Sequence, residues 1–330
     1  MNSQYPNLSE KYWYLKHGFF SWTGTYSVSD NQINFTNTKL PIYIFLLLSL
    51  LLILILWMTK RYIYQSFINN AKLTTKKQKN LLLASGIIIF IFMIIRMSLV
   101  FISHFPRQWE GLPLHFCRII CLMIAIIFIL NKPQWMKYIA PMAIAGALLA
   151  LSLPDTVSIY EPKENFVAFG QSFSKGSKVQ FHLLYNNFYY WDFVLCHVFV
   201  LITPVIISIL YPYDLRFKDT LITTGIFGGL LFFSFLLNLI LGTYGSAEWR
   251  SNYWYVGMND INPFVNLLGP LTKFGISTIS FLILGFLYLL LAGTIFHFQD
   301  ALEFSFRKKL LFIKITKQKT TKNYYPITLK

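Results

Sequence analysis

Seven long apolar blocks interrupt this chain, near Pro41–Met58, Leu81–Ser103, Leu112–Leu130, Trp135–Leu153, Tyr190–Leu210, Thr220–Leu241 and Gly269–Phe296. Each is long enough to cross about 30 Å of hydrocarbon as a helix. Backbone groups in hydrocarbon must be satisfied within the segment, so helices are the expected structure for such blocks. Composition agrees. Residues are 55% hydrophobic and only 13% charged, against about 25% charged in a soluble domain. The fold class expected is all-α: a polytopic membrane protein, a bundle of seven transmembrane helices. It divides into an extracytoplasmic segment 1–40, a membrane domain 41–296 and a basic cytoplasmic tail 297–330. The first apolar block begins too far from the N-terminus for an ordinary signal peptide.

The net charge of +16 would raise nucleic acid as a partner for a soluble chain. Here the basic residues sit between and after the apolar blocks, which is the positive-inside pattern, so no nucleic-acid partner is expected. Segment 59–80 carries Lys60, Arg61, Lys72, Lys76, Lys77 and Lys79; the turns carry Lys132, Lys137, Arg216 and Lys218; the tail carries eight more from Arg307 to Lys330. These segments alternate, so the N-terminus is expected outside and the C-terminus inside, in a multi-pass protein of the cell membrane. Aromatic residues crowd the opposite ends of the blocks. Trp109, Tyr189, Tyr190, Trp191, Trp249, Tyr253, Trp254 and Tyr255 are expected in an outer interfacial belt. Heavy use of Phe, Ile, Tyr, Asn and Lys hints at an AT-rich bacterial genome.

The reactive groups lie towards the same outer ends. Leu112–Cys121 reads LPLHFCRIIC and carries His115, Cys117, Arg118 and Cys121. An ionisable residue in a span is costly, roughly 2.5–3.5 kcal/mol for a central Arg on insertion scales, and it usually faces a site. At 1.5 Å per residue, Cys117 lies about 7–8 Å below the outer entry of its span and His197 about 9 Å below that of another. Arg96 falls about 12 Å in and Asn238 about 4–5 Å in, on two further spans. A thiol beside an imidazole is a nucleophile–base pair suited to acyl transfer through a thioester. An adjacent guanidinium favours thiolate and stabilises an oxyanion. Cys117 and His197 are the candidate catalytic residues; Arg96, Arg118, Asn238 and Asn252 are candidate substrate-binding residues.

Helical angles restrict the set. Cys117 and Cys121 share a face, whereas His115 would point about 160° from Cys117 and Asp192 about 140° from His197. A metal site from His115, Cys117 and Cys121 is therefore disfavoured, and no metal or cofactor is expected. Every member has a plain structural reading as well: a cysteine in a span is usually apolar filler, and a histidine can simply hydrogen-bond between helices.

These residues carry a resemblance. Leu112-Pro113-Leu114-His115-Phe116-Cys117 resembles the Leu-Pro-Leu-His-Leu-Cys segment of the bacterial YwaF family of integral membrane proteins. Leu153-Pro154-Asp155, Phe188 to His197, Asn252-Tyr253-Trp254-Tyr255, Asn262 and Leu268-Gly269-Pro270 resemble further family segments in the same order. Two departures stand out. Asn259-Asp260 replaces a usual Lys-Pro pair, and Arg118 stands where the family often has a small or acidic residue. That family is similar to the animal transmembrane protein 164 group, described as phospholipid acyltransferases. The resemblance implies Cys117 as acyl acceptor, His197 as its base and membrane phospholipid as partner. A small-solute transporter and a non-catalytic receptor or assembly factor remain the alternatives.

Overall fold

A computed structural model describes residues 19–20, 35–70, 72–103, 107–154, 157–160, 165–168, 171–176, 179–182, 185, 188–213, 216–258, 264–299, 302–307 and 310–315. Its helices are α1 Phe35–Ile68, α2 Thr75–Ile102, α3 Phe116–Ile129, α4 Ala140–Ser152, α5 Phe188–Leu210, α6 Phe217–Tyr244, the single turn α7 Val265–Leu268 and α8 Ile276–Gln299. Six segments are long and apolar enough to span a bilayer, and α4 is a shorter apolar helix. The chain is a polytopic α-helical membrane protein. Outside the bundle, three antiparallel hairpins form: β1 Val157–Tyr160 with β4 Val179–His182, β2 Phe166–Ala168 with β3 Gln171–Phe173, and β5 Leu302–Arg307 with β6 Leu310–Ile315. The last pair places a hairpin within the basic tail. Most of the N-terminal segment 1–40 lies outside the described residues.

The fourth apolar block differs from expectation in form. Pro133 starts a 3₁₀ helix, Pro133–Tyr138, and only 13 residues follow as α4. The segment still runs the length of the bundle. Near its start, Lys137 Nζ lies 2.8 Å from Asp219 Oδ1 at the beginning of α6. At its end, Ser152 and Leu153 line a cavity with Arg107 and Tyr189, beside the end of α2 and the start of α5. Seven segments therefore alternate in direction. Desolvation opposes the charged form of Lys137, but the hydrogen bond it donates to Asp219 outweighs that and raises the lysine's pKa.

Close approach between helices relies on small residues, as is common where the surrounding lipid offers no competing hydrophobic drive. A Cβ on Gly86 of α2 would stand 2.8 Å from the Ala125 carbonyl oxygen of α3. This contact sets α2 against α3 along their length. A Cβ on Gly146 of α4 would stand 2.0 Å from the Phe116 ring. The main core joins Ile120 and Ile124 of α3, Met142, Ala143 and Ala147 of α4, and Val194, Val200 and Leu201 of α5.

The expected aromatic belt is largely folded inward. Trp109, Tyr189, Tyr190, Tyr253 and Trp254 are buried. Trp109, Tyr253 and Trp254 form a second core with Ile119 and Leu231. These rings need protein partners for their polar ends. Tyr253 Oη donates to the Trp109 carbonyl, and Trp254 Nε1 donates to the Leu114 carbonyl at 3.0 Å. Burial pushes the Tyr253 phenol up, which keeps the donor proton in place.

Gly86→Val drives a branched side chain into the Ala125 carbonyl. It should destabilise the protein by about 1–3 kcal/mol, the range for overpacked sites. Gly225→Val, where a Cβ meets nothing within 4 Å, should leave thermal unfolding in detergent unchanged. Equal midpoints for the two variants would contradict this packing.

Candidate functional site

The end of α2, the starts of α3 and α5, most of α4 and the middle turns of α6 and α8 line one cavity of about 1020 Å³. That is at the upper end for small-molecule sites, about 300–1,000 Å³. Its deeper wall is apolar, with Leu148, Leu149, Phe227, Leu231, Leu284 and Leu289; its polar wall includes Arg96, His115, Cys117, Arg118, Asp192 and His197.

The charged groups form one network. Asp192, on the first turns of α5, accepts from both neighbouring helices. Arg118 of α3 donates Nη1 to Asp192 Oδ1 at 2.8 Å and Nη2 to Oδ2. Arg96 of α2 donates Nε to Oδ2 at 3.3 Å and Nη1 to the Glu110 carbonyl. Arg96, Asp192 and Arg118 are 6%, 3% and 8% exposed. Burying a guanidinium without a carboxylate would be prohibitive, so the three helices are tied together at this level. Asp192 thus serves the arginines, in line with its poor helical angle toward His197.

His197 takes its orientation from its own helix. Nδ1 lies 2.6 Å from the Phe193 carbonyl oxygen. A carbonyl only accepts, so Nδ1 carries the proton. Nε2 then holds the lone pair, the form a general base requires. Cys117 and His197 both line the cavity. Cys121 and Cys196 do not: both are buried in the main core, on α3 and α5. All three cysteines are free. Of the two cysteines sharing a face of α3, only Cys117 reaches the cavity.

His115 is placed differently from its helical angle. α3 begins at Phe116, and His115 is the extended residue before it, with φ −62° and ψ 146°. The 160° angle applies only within a helix. Outside it, His115 turns into the cavity that Cys117 lines and packs among the rings of Trp109, Tyr253 and Tyr255. Pro113 and the short Leu114 N–H to Leu112 carbonyl bond (2.8 Å) were the local signals that the helix starts late.

Asn238, a candidate substrate-binding residue, is not among the residues that line the cavity. Its Oδ1 accepts from Ser251 Oγ at 2.8 Å and from the Tyr253 N–H at 2.9 Å, and its Nδ2 donates to the Tyr253 carbonyl at 2.8 Å. This buried amide holds the 251–257 loop down. Asn252 does line the cavity, and its Oδ1 also accepts from the Gly257 N–H at 2.8 Å. Two residues just beyond it are strained. Trp254 and Tyr255 both have φ 58°, a region costly for bulky side chains, of order 1–3 kcal/mol each. The strain turns both rings toward the cavity they line. Asn259 and Asp260 lie outside the described residues. Among the described residues, no group of three or more His, Cys, Asp or Glu is arranged to hold a metal ion.

Asp192→Asn leaves two buried guanidiniums without a carboxylate. It should cost about 3–5 kcal/mol, the range for breaking a buried pair from one side. Adding Arg118→Gln should recover part of that loss, giving a coupling of about 1 kcal/mol or more in a thermal double-mutant cycle. Strict additivity would show that the two groups do not interact.

No curated protein and no solved structure matches the chain. The family model described as the TMEM164 family matches residues 32–292, which takes in α1 to α7, most of α8 and every residue of the cavity wall. The chain belongs to the TMEM164 family.

Proposed function

We propose that the protein is a membrane-embedded acyltransferase that modifies phospholipid through Cys117 and His197. The observation that carries this reading is the convergence of Cys117, from the first turn of α3, and His197, from α5, on a single cavity with an apolar floor and a cationic wall. His197 Nε2 accepts the thiol proton as the sulfur attacks an acyl ester carbonyl. The tetrahedral oxyanion forms beside the Arg96 and Arg118 guanidiniums, which carry fixed positive charge. Collapse breaks the ester C–O bond and gives a thioester on Cys117. The departing alkoxide takes the proton from His197, leaving a lysolipid. In the second half, His197 removes the proton of an acceptor hydroxyl. That oxygen attacks the thioester, and the thiolate leaves and is reprotonated.

The depth of the site fits lipid chemistry. Glycerol ester bonds lie just beneath the headgroups, and Cys117 and His197 come from the first turns of α3 and the first half of α5. A cell-membrane location and the orientation with the cavity outside belong to the same reading, supported by the alternation of basic segments. Phe19, one of the few described residues before α1, lies at the cavity end of the bundle, where the Phe188 N–H donates to its carbonyl at 2.7 Å.

In vesicles containing a phospholipid with an isotopically labelled acyl chain and a lysolipid acceptor, the full chain should move label to the acceptor. Cys117→Ala and His197→Ala should each lower that rate by at least about 100-fold, the lower bound for losing a positioned acid–base group. Cys121→Ala should stay within about threefold, since its thiol packs in the core. Full transfer by Cys117→Ala would refute the assignment.

A further inference from the structure

The cavity has a floor and a side opening. Its lowest residues on α4 and α8 are Met142 and Leu289. They are 1% and 2% exposed and belong to the same packed core. Two separate contacts put them at one level. Lys137 pairs with Asp219 near the start of α6, and Met142 follows Lys137 by five residues, about 7–8 Å at helical rise. A Cβ on Gly293 would stand 3.3 Å from Thr220 Oγ1, next to Asp219 in the chain. Leu289 precedes Gly293 by four residues, about 6 Å by the same rise.

Above that floor α4 and α8 part. Ala145, Leu149 and Ser152 form one stripe of α4, and Phe281, Leu284 and Tyr288 one stripe of α8; all six line the cavity. Steps of three and four residues keep each stripe on a single helical face. Leu149 is 48% exposed and Leu284 43% exposed, in a bundle surrounded by hydrocarbon. A side chain that lines a cavity and also faces the surroundings stands at the mouth. The mouth is a slit between the two stripes, about 10 Å tall by helical rise. Its α8 edge is held in place from behind, since a Cβ on Gly285 would stand 2.3 Å from the Phe227 ring of α6. The thiol meets the slit low down. A Cβ on Gly146 would stand 2.0 Å from the Phe116 ring, so the first turn of α3, with Cys117, meets α4 one turn above Met142. That depth, about 6 Å, takes only the first few carbons of an acyl chain whose carbonyl lies at the sulfur. Turning upward would press the remainder against the charged wall.

We infer that the slit between α4 and α8 holds an acyl chain of a bilayer phospholipid, its carbonyl end inside and its methyl end in the surrounding lipid. The inference rests on the acyl-transfer reading only for the direction in which the chain lies. Lateral entry keeps the methylenes out of water, whereas passage through the aqueous end would hydrate them. Lipid tails are as apolar as leucine, so burial in the slit adds little by itself. The slit holds a chain by shape and dispersion.

The test uses the full chain carrying Cys117→Ala, so that no turnover removes the ligand. The protein, purified in detergent, is mixed with a phosphatidylcholine bearing a diazirine in one acyl chain, irradiated and mapped by peptide mass spectrometry. Label on the two stripes should exceed label at Leu47 of α1 and Ile88 of α2, which are exposed on other faces, by at least about tenfold. Leu284→Trp fills the slit from an exposed position and should cut label on α4 by at least about tenfold, within the range for an overpacked site. Ala145→Trp should do the same to label on α8, and Ile88→Trp should change neither. Uniform label over all exposed faces overturns the inference, and so does slit labelling that survives both blocking replacements. With Cys117 intact, Leu284→Trp should slow acylation of the thiol by phospholipid and spare acylation by soluble p-nitrophenyl butyrate. Unslowed acylation by phospholipid would overturn the slit as its route. A Cys117 that neither ester acylates sinks the acyl-transfer reading and leaves the slit labelling standing, whereas Cys117-dependent transfer without slit labelling sinks this inference alone.

Discussion

Everything at the cavity end of this bundle depends on one carboxylate shared by two guanidiniums. Asp192 receives Arg96 from α2 and Arg118 from α3. The ions are buried among apolar helices, where attraction is strong and an unpaired member is costly. The network therefore fixes which faces of α2, α3 and α5 meet. Once they are fixed, Cys117 follows Arg118's backbone onto the cavity wall, one residue away. His197 follows Asp192 by just over one turn and reaches the same space. Register and chemistry are in this way set by the same three side chains.

Above the network, a second layer holds the loop between α6 and α8 in place. Asn238 satisfies Ser251 and both backbone groups of Tyr253. Tyr253 and Trp254 then reach across to carbonyls at Trp109 and Leu114, just before α3. The positive φ of Trp254 is tolerated because its ring bond and the anchored Tyr253 before it fix its position, and Tyr255 donates its N–H to the Asn252 carbonyl at 3.2 Å. The result joins the loop, the 3₁₀ turn Gln108–Gly111 and His115 into one lining. A residue that never touches the cavity, Asn238, thereby shapes it.

Much of this was legible in the sequence, because two signals are strong in a membrane chain. Long apolar blocks define helices, and ionisable residues inside them mark a site. Arg96, Cys117, Arg118 and His197 were all identifiable by depth alone, and the structure brings all four to one cavity. Less legible were features set by where helices begin. The helical angle of His115 presupposes a helix through that residue, whereas α3 begins at Phe116. Asn238 has the right depth, but depth does not say which neighbour consumes an amide's hydrogen bonds. The aromatic residues near the outer ends looked interfacial, since composition does not separate a ring in the headgroup layer from one folded under a loop. Asp192 offered the subtlest lesson. Its angle excluded His197 as a partner, yet only the packing of three helices identifies the two arginines.

The central claim is that the Cys117 sulfur becomes acylated by lipid. Incubation of the full chain with a phospholipid bearing a labelled acyl chain, without an acceptor, followed by peptide mass spectrometry, tests it most directly. The account predicts a single labelled adduct, on Cys117, released by neutral hydroxylamine as a thioester is and absent from His197→Ala at short times. Label found only on other residues, or none on Cys117 while lipid is turned over, would contradict it.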